Sequence, residues 1–411
     1  MFHSFFKRKP VGSIITLGLG RLNLDWGKNG GFDNHSRLFL PGDIKDVTYY
    51  YADNERELKP GYARQLRSVV KRLELLGYTI SKCRQNYQDL LKETPDWCSM
   101  PSISFEVFSR ILKRVDVERV RMPDEIDNYD FGELVANILT DPEFVKRSAE
   151  LKNFKRWDGE FFANVHPYLI IRMLAENPKN LDLDIVWRFA DVVESGWVEQ
   201  DALYEGLSNT DRYLIVTEGS SDASILKKSL PKVAGDVADF FDFIDMSENY
   251  PFTGTGNVTR FVQGLAKIKI QNRILVVLDN DTAGHSAFQT LQILNLPPNI
   301  KITVLPDIAD CKRVRTLGPS GKKSENVNGR AASIEWFLDL KQGGGKYPTV
   351  RWTSYDAHLK KYQGELEGKE EYTRAFLKLA DRNSNYDFSK LEYLWSHLLN
   401  CCTLGNPLWK P

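Results

Sequence analysis

Glu218, Asp222, Asp279 and Asp281 are the residues whose types and spacing could do chemistry. Glu218 follows the run Tyr213-Leu-Ile-Val-Thr and precedes Gly219, two serines and Asp222. Asp279 and Asp281, one residue apart, close the run Arg273-Ile-Leu-Val-Val-Leu, and Gly284 follows them. Short β-favouring runs, each leading into a helical stretch, read as neighbouring strands of a parallel sheet, whose ends meet at one edge. Glu218 from one strand end could then converge with Asp279 and Asp281 from another. Carboxylates gathered in this way repel one another unless a cation lies among them, and an all-oxygen set suits Mg²⁺ or Mn²⁺.

Each acid also has a plainer reading. Glu218 could cap the helix starting near Ser221, with Gly219 permitting a tight turn. Asp222 sits in the first turn of that helix, where an acid favours the dipole, so cap and outer metal support both stay open. Asp281 could be the N-cap of the next helix. The cap readings leave unexplained why Asp279 closes a wholly apolar strand at the edge where Glu218 lies.

Glu-Gly-x-x-Asp at 218–222 and Asp-x-Asp-x-x-Gly at 279–284 resemble the Toprim domain. That domain is shared by topoisomerases, bacterial primases, recombination-associated proteins and the overcoming-lysogenization-defect (OLD) nucleases. The resemblance covers about residues 210–340 and implies a parallel α/β sheet flanked by helices. It also implies that Glu218, Asp279 and Asp281 bind Mg²⁺ or Mn²⁺ against a phosphodiester of DNA or RNA. Glu335, in Asn328-Gly-Arg-Ala-Ala-Ser-Ile-Glu, matches more loosely the late Glu of nuclease-type Toprim domains; its plainer reading is an exposed helical acid. A Toprim module with family-specific flanking domains resembles bacterial OLD-like anti-phage effectors. That implies nucleic acid as substrate, a partner protein from the same operon, and a homodimer as one arrangement. The other class left open is a Toprim fold that binds nucleic acid or a partner without cutting.

Near the start, Gly12-Ser-Ile, Leu24-Asp-Trp-Gly-Lys-Asn and His35-Ser-x-Leu-Phe resemble the N-terminal region of bacterial HEPN/Toprim-associated proteins. Gly18-Leu-Gly20 is too sparse for a dinucleotide fingerprint. Arg351 and His358 have the Arg-x₆-His spacing of HEPN ribonucleases, but a single such pair arises readily by chance.

Lys312, Arg313, Arg315, Lys322 and Lys323 surround Gly318-Pro-Ser-Gly, with Arg330 beyond. They read either as a solvated loop or as a loop that tracks a phosphate backbone. His35 and His166 have no partner at metal spacing, and His285 either reaches the acidic site or faces water. Trp187, Trp197 and Trp336 read as core.

The elements positioning these residues alternate: strand 213–217, helix 221–230, strand 242–246, helix 256–269, strand 273–279, helix 283–294, strand 301–305 and a helix from about 331. Before them, residues 1–205 read as a short β start followed by mainly helical segments, including 61–91, 142–154 and 185–193. Gly343, Gly344 and Gly345 form a flexible joint. The tail, 346–411, reads as a small helical appendage, with 355–362 among its helices.

A chain of 411 residues exceeds one ordinary core, so two or three domains are expected. Lys+Arg and Asp+Glu each number 55, so any basic surface must be local. No run of roughly 18 apolar residues suggests a membrane span, and the start lacks the long apolar region of a signal peptide. Five cysteines, two of them adjacent, argue against a disulfide framework or zinc site, and a cytoplasmic location is expected. There is no Gly-x-x-x-x-Gly-Lys-Ser/Thr, so no ATPase of its own is expected.

Overall fold

Strand-forming residues cluster in separate parts of the chain, and each part builds its own sheet. The computed structural model describes residues 12–51, 55–93, 103–121, 132–149, 158–244, 254–319, 321–342, 347–379 and 385–403. The chain divides into two compact units, Met1–Gly206 and Leu207–Pro411. Glycines 343–345, Ser320, Cys98, and the far ends of the expected helix 142–154 and strand 242–246 lie outside the described residues.

The first unit is built on strands β1 (Ile14–Leu19), β2 (Leu22–Lys28), β3 (Ile44–Tyr50), β4 (Arg56–Gln65) and β5 (Asp184–Arg188). They form one antiparallel sheet in the order β2-β1-β5-β4-β3. Helices α1 (Leu66–Leu76), α2 (Ile80–Glu93), α3 (Phe105–Arg114), α4 (Glu133–Thr140), α5 (Pro142–Ala149), α6 (Asp158–Ala163), α7 (Pro167–Leu174), α8 (Ala190–Glu194) and α9 (Gln200–Leu203) complete it. Ile15, Leu17, Tyr62, Ile185 and Trp187 point from one sheet face into a core with Leu73, Phe108 and Ile171. The helical reading of 185–193 is corrected. The run read as helix 185–193 is a central strand followed by a short helix, because Val186 and Trp187 are buried on opposite faces of the sheet.

In the second unit, β6 (Tyr213–Val216), β7 (Phe241–Phe243), β8 (Arg273–Leu278) and β10 (Ile300–Val304) form a parallel sheet in the order β10-β8-β6-β7. The two-residue β9 (Asn280–Asp281) follows β8. Helices α10 (Ser220–Val233), α11 (Thr255–Lys267), α12 (Thr282–Ile293), α13 (Lys369–Leu377) and α14 (Ser389–Thr403) accompany them. Ile274, Val276 and Leu278 face the core shared with Val258, Val262 and Leu291 of α11 and α12. α14 packs with α10 and β10, where the Trp395 indole donates to Ser229 Oγ at 2.9 Å. A sheet covered on both faces needs apolar residues at every position, which explains the unbroken Ile-Leu-Val-Val-Leu of β8.

The chain from 314 onward departs from expectation. The basic segment is a hairpin, β11 (Val314–Gly318) and β12 (Gly321–Glu325), and β11 pairs in parallel with β14 (Thr349–Asp356), which pairs with β15 (Lys361–Leu366). The tail is therefore part of the second unit's own sheets and core, not a separate helical appendage, and 355–362 is a β-turn region rather than a helix. The helix expected from 331 is instead β13 (Ala331–Ala332) and a single 3₁₀ turn, Ile334–Phe337. Four consecutive residues there, Ile334, Glu335, Trp336 and Phe337, are buried. Trp336 and Trp187 are core, whereas Trp197 is 54% exposed.

Candidate functional site

β6 and β8 are parallel neighbours, with Val216 opposite Val276, so both strands end at the same edge. Glu218 reaches across this edge, and its Oε1 accepts a hydrogen bond from the Asp279 backbone N–H at 2.9 Å. Asp222 accepts from the Gly219 N–H at 3.0 Å and from Ser221 Oγ at 3.3 Å, which caps α10. Gly219 is extended at φ −142°, so it makes no glycine-specific turn. Asp281 does cap α12, accepting from the Gly284 N–H at 2.7 Å, and its other oxygen accepts from Gln363 Nε2. Among the described residues, no group donates a hydrogen bond to the Asp279 carboxylate.

Glu335 comes from the buried 3₁₀ turn, which removes the exposed-helix reading. Ser333 Oγ donates to it at 2.6 Å and Thr373 Oγ1 at 3.5 Å. Glu218, Asp222 and Asp279 feel the charges of their acidic neighbours. Burial, and then the Asp281 charge, push the Glu218 carboxyl up to about 8. Burial and the Glu335 charge push Asp222 up to about 7. Burial, with Asp222, Glu218, Asp281 and Glu335 around it, holds Asp279 well above the ordinary carboxylate range. Lys369 opens α13, one helical turn before Thr373, and faces the same cluster. Burial opposes its charge, but Glu335, Glu365 and Asp279 outweigh that and hold the ammonium above its usual value.

The donor set suits a hard divalent cation: it is all oxygen, and its mutual repulsion is what a cation would relieve. Glu218, Asp222, Asp279 and Asp281 also keep part of their surface open to solvent. Among the described residues, no three Asp, Glu, His or Cys side chains converge closely enough to ligate one ion as they stand.

Gly284, last residue of the Asp-x-Asp-x-x-Gly motif, has a steric task. A Cβ there would lie 2.1 Å from the Asp279 carbonyl oxygen, so only glycine lets α12 start against the end of β8. Asn280, the residue between the aspartates, is buried. Its Nδ2 donates to Asp307 at 2.8 Å, and its Oδ1 meets the Gly329 N–H and His285 Nε2, each at 2.9 Å. His285 therefore serves Asn280. His35 bonds Asp25 and Tyr168, while His166 caps α7, so neither joins the acidic edge.

Sequence reasoning missed Asn280, Gln363 and Lys369. Only the position of Asn280 inside the motif offered a local signal, since Gln363 and Lys369 arrive from the tail through tertiary pairing.

The basic residues do not act as one loop. Strand alternation puts Arg315 and Lys322 on one face of the hairpin and Lys323 on the other. Lys312, Arg313, Arg315, Lys322 and Lys323 are exposed. Arg330 is committed to protein, donating to the Asn326 carbonyl and lying 4.5 Å over the Trp352 ring. Arg351 sits on β14, paired with Glu367 at 2.6 Å, and His358 lies in the following turn, so the two do not share a helix.

Residues 11–211 of the 411 match the family model of HEPN/Toprim N-terminal domain 1. The match takes in the first unit from residue 11, ends at residue 211 and stops short of the carboxylate edge. No curated protein and no solved structure matches the chain. The match supports a HEPN/Toprim-associated family for this chain.

Proposed function

We propose that the chain is a nuclease of the OLD-like Toprim type, dependent on Mg²⁺ or Mn²⁺, that cuts phosphodiester bonds of DNA or RNA as a cytoplasmic phage-defence effector. The observation that carries this reading is the strand-end edge, where Glu218 and Asp279 lie with Asp222, Asp281 and Glu335 and the Asp279 carboxylate has no donor among the described residues. Glu218, Asp279 and Asp281 would hold the ion, with Asp222 and Glu335 behind them. When bound, such an ion stabilises charge developing on the phosphodiester and lowers the pKa of an attacking water. The protein's own groups do the positioning. The Asp279 N–H orients Glu218, the Gly284 N–H and Gln363 hold Asp281, and Ser333 and Thr373 hold Glu335. Lys369 balances part of the negative charge.

Incubating the protein with supercoiled plasmid and with an RNA pool, under each metal, tests the proposal. Cleavage is expected, together with its loss in the Asp279→Ala, Asp281→Ala double variant. Glu218→Gln is expected to lower cleavage by several orders of magnitude while leaving the protein folded. A second reading, a Toprim module that binds nucleic acid or an operon partner without cutting, is favoured by the lack of a ready three-ligand set among the described residues. Nucleic-acid binding with no cleavage under either metal would establish it instead.

A further inference from the structure

We propose that the β14–β15 hairpin beside the acidic edge is a stacking platform for single-stranded nucleic acid. The nuclease reading enters only in what happens to a strand once it has docked. Tyr355 and Tyr362 are directly opposite each other across the hairpin, with ring centroids 5.0 Å apart. They are 55% and 40% exposed, so this pair of large rings is left half in water. Trp352 lies 6.1 Å from Tyr362, and the Arg330 guanidinium lies 4.5 Å over the Trp352 ring.

The rings thus form a line on one face of the hairpin, ending where Arg330 lies over Trp352. The Arg330 backbone bridges to Asp281. Gln363, projecting from the opposite face to the Tyr362 ring, donates to the Asp281 carboxylate, and the Tyr362 backbone carbonyl accepts from Thr282 Oγ1 at 2.9 Å. The turn adds the exposed cation Lys360, β15 opens with the exposed Lys361, and Lys323 is exposed on β12, on the far side of β11.

Exposed rings with cations on the same hairpin and sheet match the chemistry of an unpaired strand: aromatic faces take bases, and ammonium groups take phosphates. A duplex hides its base faces in its own stack, so this surface favours a single strand. Because stacking is indifferent to the sugar, DNA and RNA share the required chemistry.

Fluorescence anisotropy with labelled oligo-dT, oligo-U and a matched duplex, using the full chain in EDTA, tests this without cleavage. Both single strands are expected to bind at least tenfold more tightly than the duplex. The Tyr355→Ala, Tyr362→Ala double variant is expected to lose roughly tenfold or more on single strands, with its duplex binding and melting temperature little changed. Tyr362→Phe keeps the ring and is expected to bind as the parent does. A preference for oligo-U over oligo-dT that persists against oligo-dU would assign a contact to the 2′-hydroxyl, and equal binding would assign stacking alone; either is compatible with the platform. Equal affinity for duplex and single strand overturns the proposal, as does wild-type binding by the double variant. So does a dimer that the double variant dissolves while its nucleic-acid binding persists, since the tyrosines then serve a second copy. Single-strand binding without cleavage under either metal keeps the platform and removes the nuclease, whereas cleavage without strand preference does the reverse.

Discussion

Glu218 and Asp222 carry the clearest pH consequence. Their folded values, about 8 and about 7, lie above the roughly 4 to which carboxyls return on unfolding. Between those limits the folded protein binds more protons than the unfolded chain, so the stability these groups contribute is complete below about pH 4 and is lost as pH rises through 7 and 8. The metal-free melting temperature is therefore expected to fall from pH 5.5 to 8.5, with a shallower fall in Glu218→Gln. Added Mg²⁺ or Mn²⁺ should restore most of it at pH 8, because an ion that binds only the folded state stabilises it. Calorimetry at pH 7 in buffers of different ionisation enthalpy should show protons released as the ion binds, and fewer at pH 9. A metal-free melting temperature that climbs steadily across this window would falsify the claim that these acids are held protonated. The acids themselves were legible in the sequence, because motif spacing marks them. Lys369 and Gln363 were not, since nothing within ten residues of either hints at Asp279 or Asp281.

At the scale of elements, the turn from β8 into α12 does two jobs that substitutions can separate. Asp281→Ser keeps an oxygen at the N-cap and removes the carboxylate, so stability should hold while cleavage is lost. Asp281→Ala removes both and should cost about 1 kcal/mol in urea unfolding as well. Gly284→Ala should cost about 1–3 kcal/mol and abolish cleavage, because its methyl group meets backbone at Asp279 rather than a side chain that can rotate. If Gly284→Ala unfolds at the parental midpoint, α12 does not start where described. The β8–α12 junction was readable because a buried parallel strand must be continuously apolar. The hairpins were less so: Tyr355 to Tyr362 spans two strand ends and their turn, and its mixture of rings and lysines mimics helical spacing. The alternation of buried Val314 and Thr316 with exposed Arg315 was an available signal for a strand.

For the whole molecule, the tail is structural. Leu391, Leu394, Trp395 and Leu398 of α14 are buried, Lys301 Nζ binds the Cys401 and Cys402 carbonyls at 3.1 and 2.8 Å, and β14 extends the sheet begun by β11. A chain ending at residue 340 is expected to be insoluble or to lose the cooperative unfolding of the second unit, as read by circular dichroism. A soluble truncated form with a parental transition would return the tail to the status of an appendage. Among the described residues, no helix is long and apolar enough to cross a membrane. By itself, the sequence determined the parallel αβ rhythm of 213–305 and the two acidic motifs, because strand burial and strand-end chemistry are local properties. Only the tertiary structure decided that Glu335 is buried, that the basic run is a two-faced hairpin, and that Gln363 and Lys369 stand beside the acids. Those placements depend on which distant strands pair, and pairing is chosen by the fit of whole surfaces rather than by any one segment.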